Sequence, residues 1–423
     1  MSQICVIGLG YVGLTLATAF AKRGHTVFGV ERSQGMVDKI LSTKPPFLDE
    51  GLQESLHETI GKGLLKIASS LENIEVKFDF IVIAIGTPIS EESKIDMSNF
   101  ESMPEQLRNN LSASSVLILR STIPIGTSRT LKAIFDSGEI NIGVAYCPER
   151  TVEGVALKEL YTLPQVVSAD NPEILSKVIQ LFSTITDDVV PVSTLETAEL
   201  VKLASNMWRD YTFAFSNEMF KFARTFEVDI IEMINASNYK YSRNQIPSPG
   251  GVGGPCLTKD TYIFNQSIGT SDNLFSEARK INSRFPSMVI ESLGERGLIK
   301  GSVGILGWTF KGTPATTDIR FSPTLDFLEE INKISWVNQI YGWDAEEIEI
   351  VQLPASVVFL NRLDELLSKC DSLVIANNHA FFGSTAFVKL IEETKNSLTI
   401  FDLWNMIPKI QSQNHQIYTL GEI

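Results

Sequence analysis

One cysteine in this sequence stands where chemistry needs a thiol. Cys256 ends the stretch Pro247-Ser-Pro-Gly-Gly-Val-Gly-Gly-Pro-Cys256, and Lys259 and Asp260 follow directly. A thiol with a pKa of ~8.5 is already a fair nucleophile; a nearby cation lowers that value, and a carboxylate orients it or takes its proton through water. Glycine in such a loop grants a ligand close approach, a property that core packing does not need. The other three cysteines, Cys5, Cys147 and Cys370, read as small buried hydrophobes. With no Cys-x-x-Cys spacing and four scattered histidines, neither a disulfide nor a metal site is expected.

Lys202 and Asn206 lie four residues apart and so share one face of a helix. On an apolar helix such groups need partners or a cleft, and together they suit a developing oxyanion; the bland alternative is a face open to water. In Pro148-Glu149-Arg150, just after a strand, Glu149 could serve as general base toward water or simply pair with Arg150. Gly8-Leu-Gly10-Tyr11-Val12-Gly13 follows the first strand and opens a helix, the context a dinucleotide fingerprint requires. Its glycines allow a tight turn and bring a pyrophosphate to the helix N-terminus, where free N–H groups and the helix dipole favour negative charge. Glu31 ends the second strand, placed to accept ribose hydroxyls and repel a 2′-phosphate, which favours NAD over NADP; Arg32 beside it is the rival reading. The turns Gly86-Thr87-Pro88 and Ser121-Thr122-Ile123-Pro124 should border the cofactor, because ligands of open α/β sheets bind beyond the carboxyl ends of strands. Either is also readable as a β-turn alone.

The elements that must hold these residues follow from periodicity. Ile4–Ile7, Thr26–Val30, Phe80–Ile85, Val116–Leu119 and Ile142–Ala145 read as buried strands that alternate with helices such as Leu14–Arg23, so residues 1–192 form a Rossmann-like parallel-sheet domain. Ser193-Thr-Leu-Glu196 matches a capping box, and the run to Phe226 holds no proline or glycine and carries apolar residues on almost every face. Such a helix is expected to be buried all round, as a molecular spine, a dimer seam or both, uses that its sequence does not separate. Residues 193–298 form this helical middle domain with the cysteine loop. A second strand and helix alternation begins at Val303 and includes a helix opened by Ser322-Pro323, so residues 299–423 make another Rossmann-like domain. The fold class is α/β.

Composition narrows the partners. The chain has 423 residues, 43% of them hydrophobic, enough for two or three cores, and a net charge of −14 that argues against nucleic acid or an anionic membrane surface. The N-terminus runs straight into a strand pattern, and no stretch approaches the ~18 apolar residues of a membrane span, so a cytoplasmic protein is expected.

Along nearly its whole length the sequence resembles the UDP-glucose/GDP-mannose dehydrogenase family. The shared pieces are GLGYVG (8–13), GTP (86–88), STIP (121–124), PER (148–150), ETAELVKLASN (196–206), PGGVGGPCLTKD (249–260) and LGWTFKGTPATTDIRFSP (306–323). The resemblance implies an NAD domain, a dimerising helical middle and a C-terminal domain that holds the nucleotide of a UDP-sugar, in a homodimer. By the same resemblance Cys256 is the nucleophile, Asp260 its acid/base partner, and Lys202 with Asn206 the oxyanion stabilisers. Glu149 then serves thioester hydrolysis, with Thr122 holding the water. Thr87, Ser121 and Lys259 join the glycine turn at the cofactor. Arg150, Gly253, Lys311 and Arg320 attend the substrate, and Arg243, with Lys240 as rival, reaches the partner subunit's site. The implied reaction oxidises a C6 alcohol twice: the aldehyde is captured by the thiol, the thiohemiacetal is oxidised, and water cleaves the thioester. The loop before Cys256 and PERTVEG (148–154) look like the UDP-N-acetylhexosamine branch, whereas PCLTKD (255–260) looks like the UDP-glucose branch. Trp404 stands where many members carry arginine, placed to stack on a ring or simply to pack. Two other functions compete: a two-electron β-hydroxyacid dehydrogenase and a catalytically silent NAD-binding regulator. The second α/β domain and Cys256 oppose the former; the intact Cys256, Lys202 and Asp260 set opposes the latter.

Overall fold

A computed structural model describes residues 1–72, 74–88, 95–349, 353–408 and 414–423. The chain divides into two compact units, Met1–Ser205 with Tyr262–Ser271, and Asn206–Thr261 with Asp272–Ile423.

The first unit is built on a sheet of β1 (Gln3–Ile7), β2 (Thr26–Val30), β3 (Leu65–Ala68), β4 (Phe80–Ile83), β5 (Val116–Leu119), β6 (Gly143–Tyr146), β7 (Gln165–Ala169) and β8 (Val189–Pro191). Their spatial order is 3-2-1-4-5-6-7-8. All neighbours run parallel except β6 and β7. Every residue of β4, β5 and β6 is buried, as expected of strands covered on both faces. The order reverses between β1 and β4, and there the ends Ile7 and Ile83 lie side by side. That reversal is the crevice where doubly wound sheets bind ligands. The helix Tyr11–Lys22 packs on the sheet through Leu14, Leu16, Ala17 and Phe20, all buried, and carries Lys22 in its last turn to complement the dipole.

The central helix spans Leu195–Thr225 and differs from the sequence reading in two respects. Its cap is Thr194, whose Oγ1 accepts the Thr197 N–H at 3.0 Å, one residue later than the Ser193 pattern implied. Glu196 is drawn away from any capping role because Arg129 binds it with two donors, at 2.6 and 3.0 Å. Nor is the helix buried all round: Trp208 is 64% exposed, and Phe215 and Phe222 are each 45% exposed. An apolar face is left open on the single chain.

The second unit carries β9 (Gly301–Leu306), β10 (Val337–Trp343), β11 (Val357–Phe359), β12 (Ser372–Ile375), β13 (Thr399–Asp402) and β14 (Gln416–Thr419). They are all parallel, in the order 11-10-9-12-13-14, which repeats the winding of the first six strands of the other sheet. Ser322 caps the helix Pro323–Ile331 by accepting the Thr324 N–H, with Pro323 at the first helical position, as the sequence implied. Among the described residues no helix is long and apolar enough to cross a membrane.

Candidate active site

In the first unit the glycine turn sits at the β1 end of the switch point. Gly8 has φ +87° and lies so close to Ala84 that a Cβ would come 2.8 Å from its carbonyl oxygen. A Cβ on Gly13 would collide with the Gly8 carbonyl, so this third glycine permits helix and strand to approach. Gly10 differs from both: nothing lies within 4 Å of its Cβ position, and no side chain caps the helix that starts there. Open space before an uncapped helix N-terminus fits a pyrophosphate. Glu31 is pinned at the end of β2, Oε2 accepting the Leu9 N–H and Oε1 the Ser33 N–H, each at 3.0 Å. Tyr11 stacks on Phe47 with centroids 4.0 Å apart, and Val12 is half-buried beside it. The two polar turns are laced together: Thr87 Oγ1 donates to the Thr122 carbonyl at 2.9 Å, and Ser121 Oγ to that of Ile85 at 2.7 Å. Glycine turn, acidic strand end and laced turns together fit a dinucleotide.

At the neighbouring strand ends the sequence reading missed a partner. Glu149 is buried and its ion pair is with Arg120, not with the Arg150 guanidinium: Arg120 Nε and Nη2 donate to Oε2 at 2.9 and 2.6 Å. The Arg150 and Thr151 N–H groups both reach Oε1 at 2.8 Å. Arg150 turns its guanidinium to the Pro164 carbonyl, 2.6 Å away. Burial pushes the Glu149 carboxyl up, but the Arg120 charge, these hydrogen bonds and the charge of Lys202 outweigh it and leave the pKa below the ordinary carboxylate value. Lys202 is itself buried, on the central helix. Arg120 follows β5 directly and also donates to the Cys147 carbonyl and Gln165 Oε1, so one guanidinium ties β5, β6 and β7 together.

In the second unit Asn206 Nδ2 donates to Asp260 Oδ2 at 2.6 Å, and both residues are buried. Cys256 is exposed, and its carbonyl accepts the N–H groups of Lys259 and Asp260 at the start of the helix Asp260–Ile268. Lys259 is half-buried. The glycines before the cysteine answer to packing, contrary to the expectation from sequence. A Cβ on Gly250 would strike the Trp404 ring, one on Gly251 or Gly253 would strike Pro323, and one on Gly254 would strike Phe310. Gly253 also lies against the Phe321 carbonyl, which accepts the Gly254 N–H at 2.9 Å. Trp404 therefore packs: its Nε1 donates to the Ala376 carbonyl at 2.9 Å and its ring seats the loop.

The basic residues expected at the substrate have different settings. Arg320 forks onto Asp318, with Nε 2.9 Å from Oδ1. Lys311 is half-buried with its ammonium 5.6 Å from the Phe310 centroid. Arg243 and Lys240 are exposed, lying over the rings of Tyr241 and Tyr239. The first unit thus gathers the glycine turn, Glu31, Thr87, Ser121, Thr122, Glu149, Arg150 and Lys202, and the second gathers Asn206, Arg243, Gly253, Cys256, Lys259, Asp260, Lys311 and Arg320.

Comparison with known proteins matches residues 2–186 to the NAD binding domain, 196–284 to the central domain and 304–409 to the UDP binding domain of the UDP-glucose/GDP-mannose dehydrogenase family. The chain belongs to that family, as its motifs implied, and its cofactor is NAD. Among its relatives, UDP-N-acetyl-D-mannosamine dehydrogenase of Methanococcus aeolicus is 28% identical over 434 residues, covering 99% of this chain and 93% of the relative. The solved structure of UDP-D-ManNAc dehydrogenase from Pyrococcus horikoshii superposes with a TM-score of 0.85 at 26% identity, covering 99% of both chains. A UDP-glucose dehydrogenase from Pyrobaculum islandicum superposes with a TM-score of 0.86 at 25% identity, covering 100% of this chain and 98% of the other.

Proposed function

We propose that this chain oxidises the C6 alcohol of a UDP-N-acetylhexosamine to the carboxylate, with Cys256 as covalent nucleophile. The observation that carries the reading is the contrast among the four thiols. Burial pushes Cys147 and Cys370 up to about 12 and Cys5 higher still, whereas Cys256 is exposed at the mouth of a helix. Of the four, only Cys256 is open to a substrate carbonyl.

Gly8, Gly10, Tyr11, Val12, Gly13, Glu31, Thr87, Ser121, Thr122 and Lys259 would hold NAD, which would take up a hydride in each oxidation. The Cys256 sulfur adds to the aldehyde carbon, and its proton leaves toward Asp260. Lys202 and Asn206 stabilise the oxyanion that develops. Loss of the second hydride leaves a thioester. Water adds to it, the carbon–sulfur bond breaks, and carboxylate and thiol are released. Glu149, held as an anion by four donors, suits orienting that water with Thr122 better than taking its proton outright. Arg150, Gly253, Lys311 and Arg320 contact the substrate in this reading. Residues 1–192 bind NAD, 193–298 form the dimerising middle and 299–423 hold the nucleotide, in a cytoplasmic enzyme. The N-acetylhexosamine is favoured by the loop before Cys256 and by relatives named for UDP-N-acetyl-D-mannosamine; UDP-glucose is the alternative, favoured by Pro255-Cys-Leu-Thr-Lys-Asp260 and the Pyrobaculum likeness. Turnover of a panel of UDP-sugars decides between them, and the number of NADH formed per sugar tests the reaction itself.

Two expectations accompany this reading. Glu31 faces the position a 2′-phosphate would take, and an uncompensated pair of anions costs a few kcal/mol, so kcat/KM with NADP should fall roughly a hundredfold or more below that with NAD. Comparable turnover with NADP removes Glu31 from the cofactor site. The open face of the central helix, with Trp208, Phe215 and Phe222, is proposed as the seam of a homodimer that buries more than ~2,000 Å² and lets Arg243 reach the partner's site. Sedimentation at assay concentrations should show a dimer; a fully active monomer rules the seam out.

A further inference from the structure

The loop Pro247–Leu257 forms no strand or helix through Gly253, so its backbone groups must find partners elsewhere. In the second unit those partners come from two helices. On the central helix, Asn217 faces Gly250 with both ends of its amide: Oδ1 accepts the Gly250 N–H at 2.9 Å, and Nδ2 donates to its carbonyl at 3.1 Å. Ser216 Oγ donates to the Pro247 carbonyl at 2.7 Å. On the helix Leu274–Glu295, Arg279 Nη2 donates to the Val252 carbonyl at 3.2 Å, and Nη1 points to the Leu257 carbonyl at 3.4 Å. Those two carbonyls bracket Cys256.

The clamp is tied within itself. Arg279 Nη1 donates to Asp210 Oδ1 at 2.7 Å, and Asn282 Nδ2 reaches the same oxygen and the Asp210 carbonyl, each at 2.8 Å. Asn282 Oδ1 accepts from Asn217 at 2.9 Å, which closes the chain of bonds. Asp210, Asn217, Arg279 and Asn282 are all buried. A buried ion pair is a poor device for stability alone, since apolar groups fill the same space without desolvating charge. A planar guanidinium does what no apolar group does: it bridges two carbonyls and a carboxylate in one fixed geometry.

We propose that Arg279, oriented by Asp210 and Asn282 and assisted by Asn217, is the positioning residue that sets the place of the Cys256 thiol. The inference rests on Cys256 being the nucleophile. A shift of about 1 Å in a reacting group costs up to ~10²-fold in rate, so carbonyls fixed on both sides of Cys256 bear directly on its reactivity.

Arg279→Lys tests it, because lysine keeps a charge beside Asp210 but cannot bridge both carbonyls. With the full-length enzyme, kcat should fall by at least ~30-fold with KM for NAD within about twofold. The first equivalent of NADH, formed before the thiol acts, should appear at close to the wild-type rate. Alkylation of Cys256 by iodoacetamide should change by about fivefold or more in rate, a readout that needs no turnover. Asn217→Ser, which loses the Gly250 bonds and leaves the ion pair in place, should move the same quantities in the same direction and carries the test if Arg279→Lys does not fold. Unchanged alkylation and kcat in either folded variant overturn the proposal. So does an equal loss in the first NADH, the later steps and thermal stability, which marks a structural role only. Cys256→Ser with wild-type turnover overturns the nucleophile reading itself, and so separates the two failures.

Discussion

Cys256→Ser should lose steady-state turnover by a factor on the order of 10³ or more, comparable with removing nucleophiles in other enzymes. The serine variant should still bind NAD and the sugar, because the thiol is needed only after the first hydride has left. It should then stall, since an alkoxide is far less available than a thiolate near neutral pH. Any ester that did form would hydrolyse slowly. Mass spectrometry should accordingly find an aldehyde-level species or an acyl-serine adduct in place of the carboxylate. The other three thiols cannot stand in: all are buried, with Cys147 and Cys370 pushed up to about 12. Carboxylate production at near wild-type rate would remove covalent catalysis and leave a hydrated-aldehyde route.

Arg120→Met should destabilise the first unit by about 3–5 kcal/mol, the usual consequence of stripping one partner from a buried ion pair. Glu149 would keep its two backbone donors and lose both bonds to the guanidinium. The loss should depend on pH with a definite sign. In the wild type the Glu149 pKa lies below its unfolded value, so the pair's contribution is present above that unfolded value, ~4.3, and fades as pH falls through the lower folded one. In the variant, burial acts unopposed by the arginine and pushes the carboxyl up, so the folded state gains a proton on acidification and the deficit shrinks. Calorimetry of both proteins between neutral and mildly acidic pH checks this, and adding Glu149→Gln to Arg120→Met should restore part of the loss. A deficit below 1 kcal/mol that ignores pH would contradict the account of the pair.

The parts of this fold legible in sequence are those set by near neighbours. The fingerprint turn, the fully apolar strands β4 and β5, and the Ser322-Pro323 helix start are each decided within a few residues. The strands that escaped notice, β3, β7, β8, β11 and β14, are three to five residues long, and most lie toward sheet edges, where burial writes a weaker pattern. The central helix cap shifted by one residue because Arg129, remote in sequence, captures Glu196. For the site, residue type marked Cys256, Lys202, Asn206 and Asp260, but not their supports. Arg120 meets Glu149 only because β5 and β6 are adjacent parallel strands, with the two residues 29 apart in the chain. Asn217 and Gly250, 33 apart, meet only when the loop folds back on the helix. Gly250, Gly251, Gly253 and Gly254 signalled close approach without naming Trp404, Pro323 and Phe310, the side chains that approach within the chain. The apolar composition of the central helix indicated burial; in the single chain that burial is incomplete.

The proposed reaction is a four-electron oxidation completed on one enzyme. The most direct measurement supplies purified enzyme with a limiting amount of UDP-N-acetylhexosamine and excess NAD, counts NADH by absorbance and weighs the product. Two NADH per sugar are expected, with a product that has gained one oxygen and lost two hydrogens and no free aldehyde released. One NADH per sugar with a carbonyl product, or no NADH from any UDP-sugar, would contradict it.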